Sequence, residues 1–316
     1  METQIINYLA EKGLWKNSVK YEPITLGAGG AKIFLVHEND FDKGSGKAFV
    51  LKVANVEWGC DQAHFDFCKK EYDFYKLNES LKLPYVPEIV YSENHKDFGI
   101  ILVMKKYKPI AHEQWNIDLQ KQAIDLCARF NSLPVDEFAK AGIVWKPIEI
   151  SSETAEASCK LWSEVLSEHE GRFDKSLLET ISKKLDSVCA VLNSEPHHIC
   201  HGDFHQENLL LDDTGKLYLC DYQAVTIGKG VSDLAFFISR GLGFGIPLND
   251  DQLLSYYCEC LSKYSGTAVK ITTLKQERAA STLLNTFLFW AYFLKGASYE
   301  SVAVHYEEMK AALELF

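Results

Sequence analysis

The spacing of apolar residues changes character along this chain. Residues 2–14 place them at helical intervals and predict a short amphipathic helix. Val19–Asp40 then reads as a strand, a glycine turn and a second strand. Another turn at Asp42–Lys47 leads into the β-branched run Ala48–Asn55. A helix is expected over Asp61–Ser80, and two further strands at Glu88–Ser92 and Gly99–Lys106. From Trp115 onward the period is helical, with segments at Asn116–Leu133 and Asp174–Ser194 and at 250–264, 273–295 and 298–314. Ser151 and Ser152 stand where an N-cap would open one more helix, running to about Glu168.

One stretch fits neither period. His201–Tyr222, HGDFHQENLLLDDTGKLYLCDY, holds a strand at Leu209–Leu211, a turn at Asp212–Gly215 and an alternating strand at Lys216–Cys220. A hairpin of this kind brings Asp203, Asn208 and Asp221 to one edge. Asp203 can accept a proton from a hydroxyl. Asn208 and Asp221 offer hard oxygen atoms of the kind Mg²⁺ takes beside phosphate. Singly, an HxD or an Asp at a strand end is more often structural; it is the ordered set that carries the reading.

The spacing H-x-D-x-x-x-x-N followed by Asp221 is that of a kinase catalytic loop and its metal-binding Asp. The chain therefore resembles the protein-kinase-like superfamily. HGDFHQEN, CDYQ and the DLA at Asp233–Ala235 are most similar to the aminoglycoside phosphotransferase and choline kinase branch. The resemblance implies an α+β, bilobal protein-kinase-like fold. Residues 1–106 would form an antiparallel-sheet, nucleotide-binding N-lobe, and residues 107–316 a mostly helical C-lobe with the catalytic loop and the acceptor site.

The same resemblance implies roles. Asp203 would orient and deprotonate the acceptor hydroxyl, and His201 would support the loop. Asn208 and Asp221 would hold Mg²⁺, and Asp233 would tie the loop from beneath. Lys52, flanked by apolar residues in FVLKV, needs an anion if its strand is buried. The family supplies two, the ATP phosphates and a Glu on the next helix, for which Glu71 is the candidate. The hinge would be Val103–Lys106, including Met104, with its backbone toward the adenine.

The turn Gly27-Ala28-Gly29-Gly30 is the expected phosphate loop, because glycine lets backbone amides approach an anion closely. It departs from G-x-G-x-x-G in lacking the last Gly. A dinucleotide fingerprint, and so an oxidoreductase, would need a helix after the turn, and KIFLV reads as a strand. The altered loop also leaves open a nucleotide-binding pseudokinase.

Composition narrows the partners. The chain has 316 residues, 47% hydrophobic and 24% charged, as an ordinary globular protein has. A formal charge of −11 argues against nucleic acid and anionic membranes. Nine scattered Cys without CxxC fit a reducing, cytoplasmic setting. The group His197, His198, Cys200, His201 and His205 lacks the two-pair spacing of a zinc site. No secretory signal is visible, and the most apolar run, Leu283–Leu294, is too short to span a bilayer and reads as a buried core helix.

Asp221 is followed by Tyr222-Gln223, no APE follows, and Asp233 comes soon after. That leaves little room for a peptide-binding activation segment. The expected partners are ATP and a small hydroxylated acceptor such as an amino sugar, an aminoglycoside, a choline-like amine or another metabolite alcohol. DYQ looks closer to the sugar and lipophilic-alcohol branches than to the choline branch. Tyr256, Tyr257, Phe287, Trp290 and Tyr292 could line an acceptor pocket or a quaternary-ammonium cage, or be plain core.

Overall fold

The computed structural model describes residues 2–15, 19–24, 30–38, 47–169 and 171–316. They form two compact units. The first comprises Met1–Pro109 with Leu210–Ala224, and the second Ile110–Leu209 with Val225–Phe316.

The first unit is built on a five-stranded sheet. Its strands are β1 (Val19–Ile24), β2 (Lys32–Glu38), β3 (Lys47–Ala54), β4 (Ile89–His95) and β5 (Gly99–Lys105), in the order β1-β2-β3-β5-β4. Every pairing is antiparallel. Alternation in β2 and β3 sends Phe34, Val36, Phe49, Leu51 and Val53 into one core. Helix α1 (Glu2–Glu11) closes that core with Ile5, Ile6 and Leu9, one stripe at helical spacing.

Helix α2 (Gln62–Leu81) starts at an N-cap, where the Asp61 side chain accepts from the His64 amide at 2.9 Å. It buries Cys68, Glu71, Phe74 and Tyr75. A small sheet completes this unit. In it β6 (Lys108–Pro109) lies beside β8 (Leu209–Leu211), and β8 beside β9 (Leu217–Leu219). The expected hairpin of Leu209–Cys220 is therefore present.

The second unit is helical apart from one pair of short strands, β7 (His198–Cys200) and β10 (Thr226–Gly228). Its helices are α3 (Ile117–Asn131), α4 (Val135–Lys140), α5 (Ser152–Ser167), α6 (Ser176–Asn193), α7 (Val231–Gly243), α8 (Asp250–Ser265), α9 (Ile271–Asn285), α10 (Ala291–Leu294) and α11 (Tyr299–Leu313). Ser151 is the N-cap of α5, its hydroxyl accepting from the Thr154 amide at 3.2 Å. Trp162, Ile181, Val188, Leu283 and Phe287 belong to one of its hydrophobic cores. The expected order, strands first and helices after, is the one the chain adopts.

Two segments differ from the expectation. Helix α7 is not among the helices expected above, although Val231, Leu234, Ala235 and Ile238 recur at helical spacing and are buried. The run Leu283–Leu294 is a helix interrupted by a π-helical stretch at Thr286–Trp290, and it is not wholly core. Leu283, Phe287, Trp290, Ala291 and Leu294 are buried, but Phe289, Tyr292 and Phe293 are exposed. The widened turn frees carbonyls at Thr286 and Phe287, and the indole Nε1 of Trp162 donates to both, at 3.3 and 3.0 Å. Among the described residues no helix is long and apolar enough to cross a membrane.

Candidate active site

In the first unit the site begins with a lysine that the strand pattern buries. Lys52 lies in β3, opposite Ile33 of β2 and Leu102 of β5. Its Nζ is 2.6 Å from Glu71 Oε2 and 3.0 Å from Asp221 Oδ1. The pairing expected with Glu71 is thus formed, and Asp221 joins it. Burial alone would lower the Lys52 pKa. The charges of Glu71 and Asp221 outweigh that and raise it above the ordinary lysine value, so the ammonium is permanent at neutral pH. Cys68 lies in the same environment and stays a neutral thiol, pushed up to about 12 by burial.

Asp221 follows β9 with φ +66°, a left-handed backbone at a non-glycine residue. Such a conformation costs roughly 1–2 kcal/mol and persists where the surroundings impose it. Here the next residue does so. Tyr222 is fully buried, stacks on Phe74 of α2 with centroids 3.7 Å apart, and meets Tyr75 edge-on at 5.8 Å. The carboxylate is aimed by Lys52 on Oδ1 and by Gln223 Nε2 on Oδ2 at 3.2 Å.

Gly30 has φ +62°, and its Cα side faces the His64 ring. Gly27 and Gly29 lie outside the described residues. Strand β2 follows the glycines, which removes the helix that a dinucleotide fingerprint requires. Met104 lies in β5, between Val50 of β3 and Ile89 of β4. In the expected hinge, the Lys105 and Lys106 amides already donate to Glu88 O and Ala48 O, at 3.0 Å each.

In the second unit, the loop from His201 to Asn208 is held from within. Asp233, on the first turn of α7, accepts from the His201 amide at 2.8 Å on Oδ2 and from the Gly202 amide at 2.9 Å on Oδ1. Asn131 Nδ2, from the end of α3, donates to the same Oδ2 at 2.9 Å and to Ile199 O at 2.8 Å. Tyr257 Oη of α8 donates to Asn131 Oδ1 at 2.8 Å. Burial pushes the Asp233 carboxyl above its usual range, while His201, the two amides and Asn131 work against that rise. His201 is itself fully buried, with its ring near Phe130 and Phe204. Gly202 has φ +79°, which turns the chain so that Asp203 leaves the anchored segment.

Asp203 is 29% exposed. Asn208 Nδ2 donates to its backbone oxygen at 2.8 Å and to its Oδ2 at 3.1 Å. His205 Nε2 stands 3.6 Å from Oδ1, and the Glu207 amide donates to His205 Nδ1 at 3.3 Å. With Nδ1 accepting, the ring proton is assigned to Nε2, facing Asp203. Burial alone would raise the Asp203 pKa, but His205, His201 and Asn208 together lower it below the usual aspartate value.

Asn208 spends its amide nitrogen on Asp203, so its Oδ1 is the atom suited to a cation. Asn208 in the second unit and Asp221 in the first each offer hard oxygen, the donor type that fits Mg²⁺ and is unlike that of a zinc site.

The sequence reading missed three members of this arrangement. In the sequence His205 stands out only as one of a histidine group without zinc spacing, yet it lies beside Asp203. Asn131 and Tyr257 fix Asp233, and the signal for Asn131 was a polar residue inside the apolar stripe of α3.

Solved structures share this fold. A wild-type aminoglycoside 2'-phosphotransferase-IIIa, in complex with GDP, superposes with a TM-score of 0.58 at 14% identity, over 99% of this chain and 98% of its own. Choline kinase from Cryptosporidium parvum Iowa II gives 0.60 at 12% identity, over 99% and 95%. A putative aminoglycoside phosphotransferase from Ralstonia eutropha JMP134 gives 0.62 at 10% identity, over 100% and 96%. No curated protein sequence matches the chain. The family model for the phosphotransferase enzymes called APH matches residues 21–265, more than half of the chain. This chain belongs to the APH phosphotransferase enzyme family.

Proposed function

We propose that the protein transfers the γ-phosphate of ATP to the hydroxyl of a small molecule, with Asp203, Asn208, Asp221, Lys52 and Glu71 as its working residues. The observation that carries this reading is the Lys52–Glu71–Asp221 triad. An ammonium held between two carboxylates, one of them buried, is a fixed cation of the kind a phosphate clamp uses. Membership of a phosphotransferase family and the separately anchored HGDFHQEN loop support it.

In this mechanism Lys52 binds the α- and β-phosphates and Glu71 keeps its ammonium in place. Asn208 and Asp221 would hold Mg²⁺, which would supply charge neutralisation at the phosphate oxygens. Asp203 accepts a hydrogen bond from the acceptor hydroxyl and orients its oxygen in line with the γ-phosphorus. As the new O–P bond forms, the bond from the γ-phosphorus to the bridging oxygen breaks. The hydroxyl proton passes to Asp203, and ADP leaves. A depressed pKa makes Asp203 a weak base, which suits a loose transition state in which positioning precedes proton loss.

Nucleotide titration tests the clamp. ATP affinity of the wild type should rise with Mg²⁺, and Asp221→Ala should abolish most of that rise. Equal Mg²⁺ dependence in the two proteins would remove Asp221 from this role.

A further inference from the structure

One buried ion pair of the second unit has no place in the chemistry above. Lys229 Nζ lies 2.6 Å from Glu277 Oε1 of α9, with the two side chains 1% and 9% exposed. The same Nζ donates to Pro196 O at 3.2 Å. A buried pair of this kind adds little stability over apolar side chains of similar volume, because desolvation offsets the attraction. Its best-attested use is to fix the register of the elements it joins.

The elements joined here need such a tie. Strands β7 and β10 pair over three residues each, Cys200 with Thr226, Ile199 with Ile227 and His198 with Gly228. A two-stranded ribbon that short is marginal by itself and holds its alignment weakly. Lys229 follows the last residue of β10, and Pro196 stands just ahead of β7. The contact from Lys229 to Pro196 O therefore closes the end of the ribbon, and Glu277 fastens that end to α9.

Three further contacts carry this position to the loop. The Lys229 carbonyl accepts from the Ser232 amide at 2.9 Å, at the start of α7. Ser232 Oγ lies 2.7 Å from Ser281 Oγ, one turn beyond Glu277 on α9. His198 Nδ1, at the start of β7, lies 3.2 Å from Asn131 O, so a ring proton is assigned to that nitrogen. Helix α7 carries Asp233, and β7 runs into His201 and Gly202, whose amides donate to it. A slip of β7 along β10 would move both amides against Asp233, and Asp203 is the next residue of the chain.

We propose that Lys229 and Glu277 are positioning residues, which together set the alignment of β7 with β10 and α7 and, through it, the place of Asp203. For what Asp203 does, this rests on the phosphotransfer reading and deepens it. A misplacement of about 1 Å can cost about 10²-fold in rate even when it begins far from the reacting atoms. An apolar pair would fill the same space and leave the alignment unset.

The test replaces both charges at once, Lys229→Met with Glu277→Met, because losing one alone strands the other in the interior. The full chain is given Mg·ATP with water as the acceptor. ADP formation is followed beside ATP affinity, thermal unfolding and amide hydrogen exchange. The double variant should unfold at or above the wild-type midpoint and bind ATP as the wild type does. It should form ADP more slowly by about tenfold or more. Exchange across His198–Asp203 should quicken by about tenfold or more, while α6 stays as protected as before. ADP formation within about twofold of wild type overturns the proposal. Unchanged exchange across His198–Asp203 also overturns it. So does a lowered midpoint with activity lost only as the folded fraction falls; the pair is then a stability element alone. Asp221→Ala reports separately on the phosphotransfer reading. If wild-type ADP formation survives that change, that reading fails, and the exchange result alone decides whether the pair sets the alignment.

Discussion

Glu71 and Lys52 form an ion pair of 2.6 Å in which the carboxylate side chain is 1% exposed and the ammonium side chain 12%. Removing one member of a buried pair leaves an uncompensated charge, which typically costs about 3–5 kcal/mol. Lys52 retains Asp221 as a second partner, so Glu71→Ala should fall at the lower end, about 3 kcal/mol, in urea or thermal unfolding. The same variant should weaken ATP binding, because a lysine drawn to Asp221 alone is less available to phosphate. Lys52→Met, which keeps the stem and strands Glu71, should be destabilised and should lose ATP binding as well.

Asp233 is the keystone of the loop from His201 to Asn208, and the partners named above are all donors to it. Asp233→Asn would set an NH₂ against an amide hydrogen or against Asn131. Loss of a charged, buried acceptor of this kind costs roughly 2–3 kcal/mol. Gly230→Ala reaches the same network sterically, since its Cβ would lie 2.7 Å from Tyr257 Oη and 2.9 Å from Asn131 Cβ. Overpacking there should cost about 1–3 kcal/mol. Both variants should lower kcat more than they alter nucleotide affinity, measured by turnover and titration on the same preparations.

His205 gives a prediction in pH. Because Asp203 has a folded pKa below its unfolded value, its ionised form stabilises the fold above the unfolded pKa, and that contribution is lost as pH falls through the folded one. His205 leads the interactions that hold the carboxyl down against burial. His205→Ala should therefore let the Asp203 pKa rise, moving the acidic limb of kcat/KM to higher pH. A purely structural role for His205 would lower activity without moving that limb. Asp233 has the opposite sign: its folded pKa is raised, so its contribution is fullest below the unfolded pKa and is lost as pH rises through the folded one.

Much of this was legible before any coordinates, for physical reasons. Alternation in β2 and β3 and the helical stripe of α1 follow from burying one face, so pattern alone found them. The segment 201–222 was legible because its polar residues sit at fixed spacing in an otherwise apolar stretch. Helix α7 was equally legible, with Val231, Leu234, Ala235 and Ile238 at helical spacing, but its closeness to the polar loop 201–222 drew the reading to Asp233 alone. The outward aromatics of Leu283–Leu294 were not legible, because an unbroken apolar run does not show which of its faces is buried. Asn131 and Tyr257 were hidden by distance in sequence; their link to Asp233 exists only once α3, α7 and α8 are packed.

The most direct test of the whole account is the rate of ADP formation by Asp203→Ala at saturating Mg·ATP and acceptor, read beside its ATP affinity. The account predicts a fall of about 10²–10⁴-fold in turnover with affinity near that of the wild type. Turnover above about a tenth of wild type would contradict it, since losing a general base costs more than that.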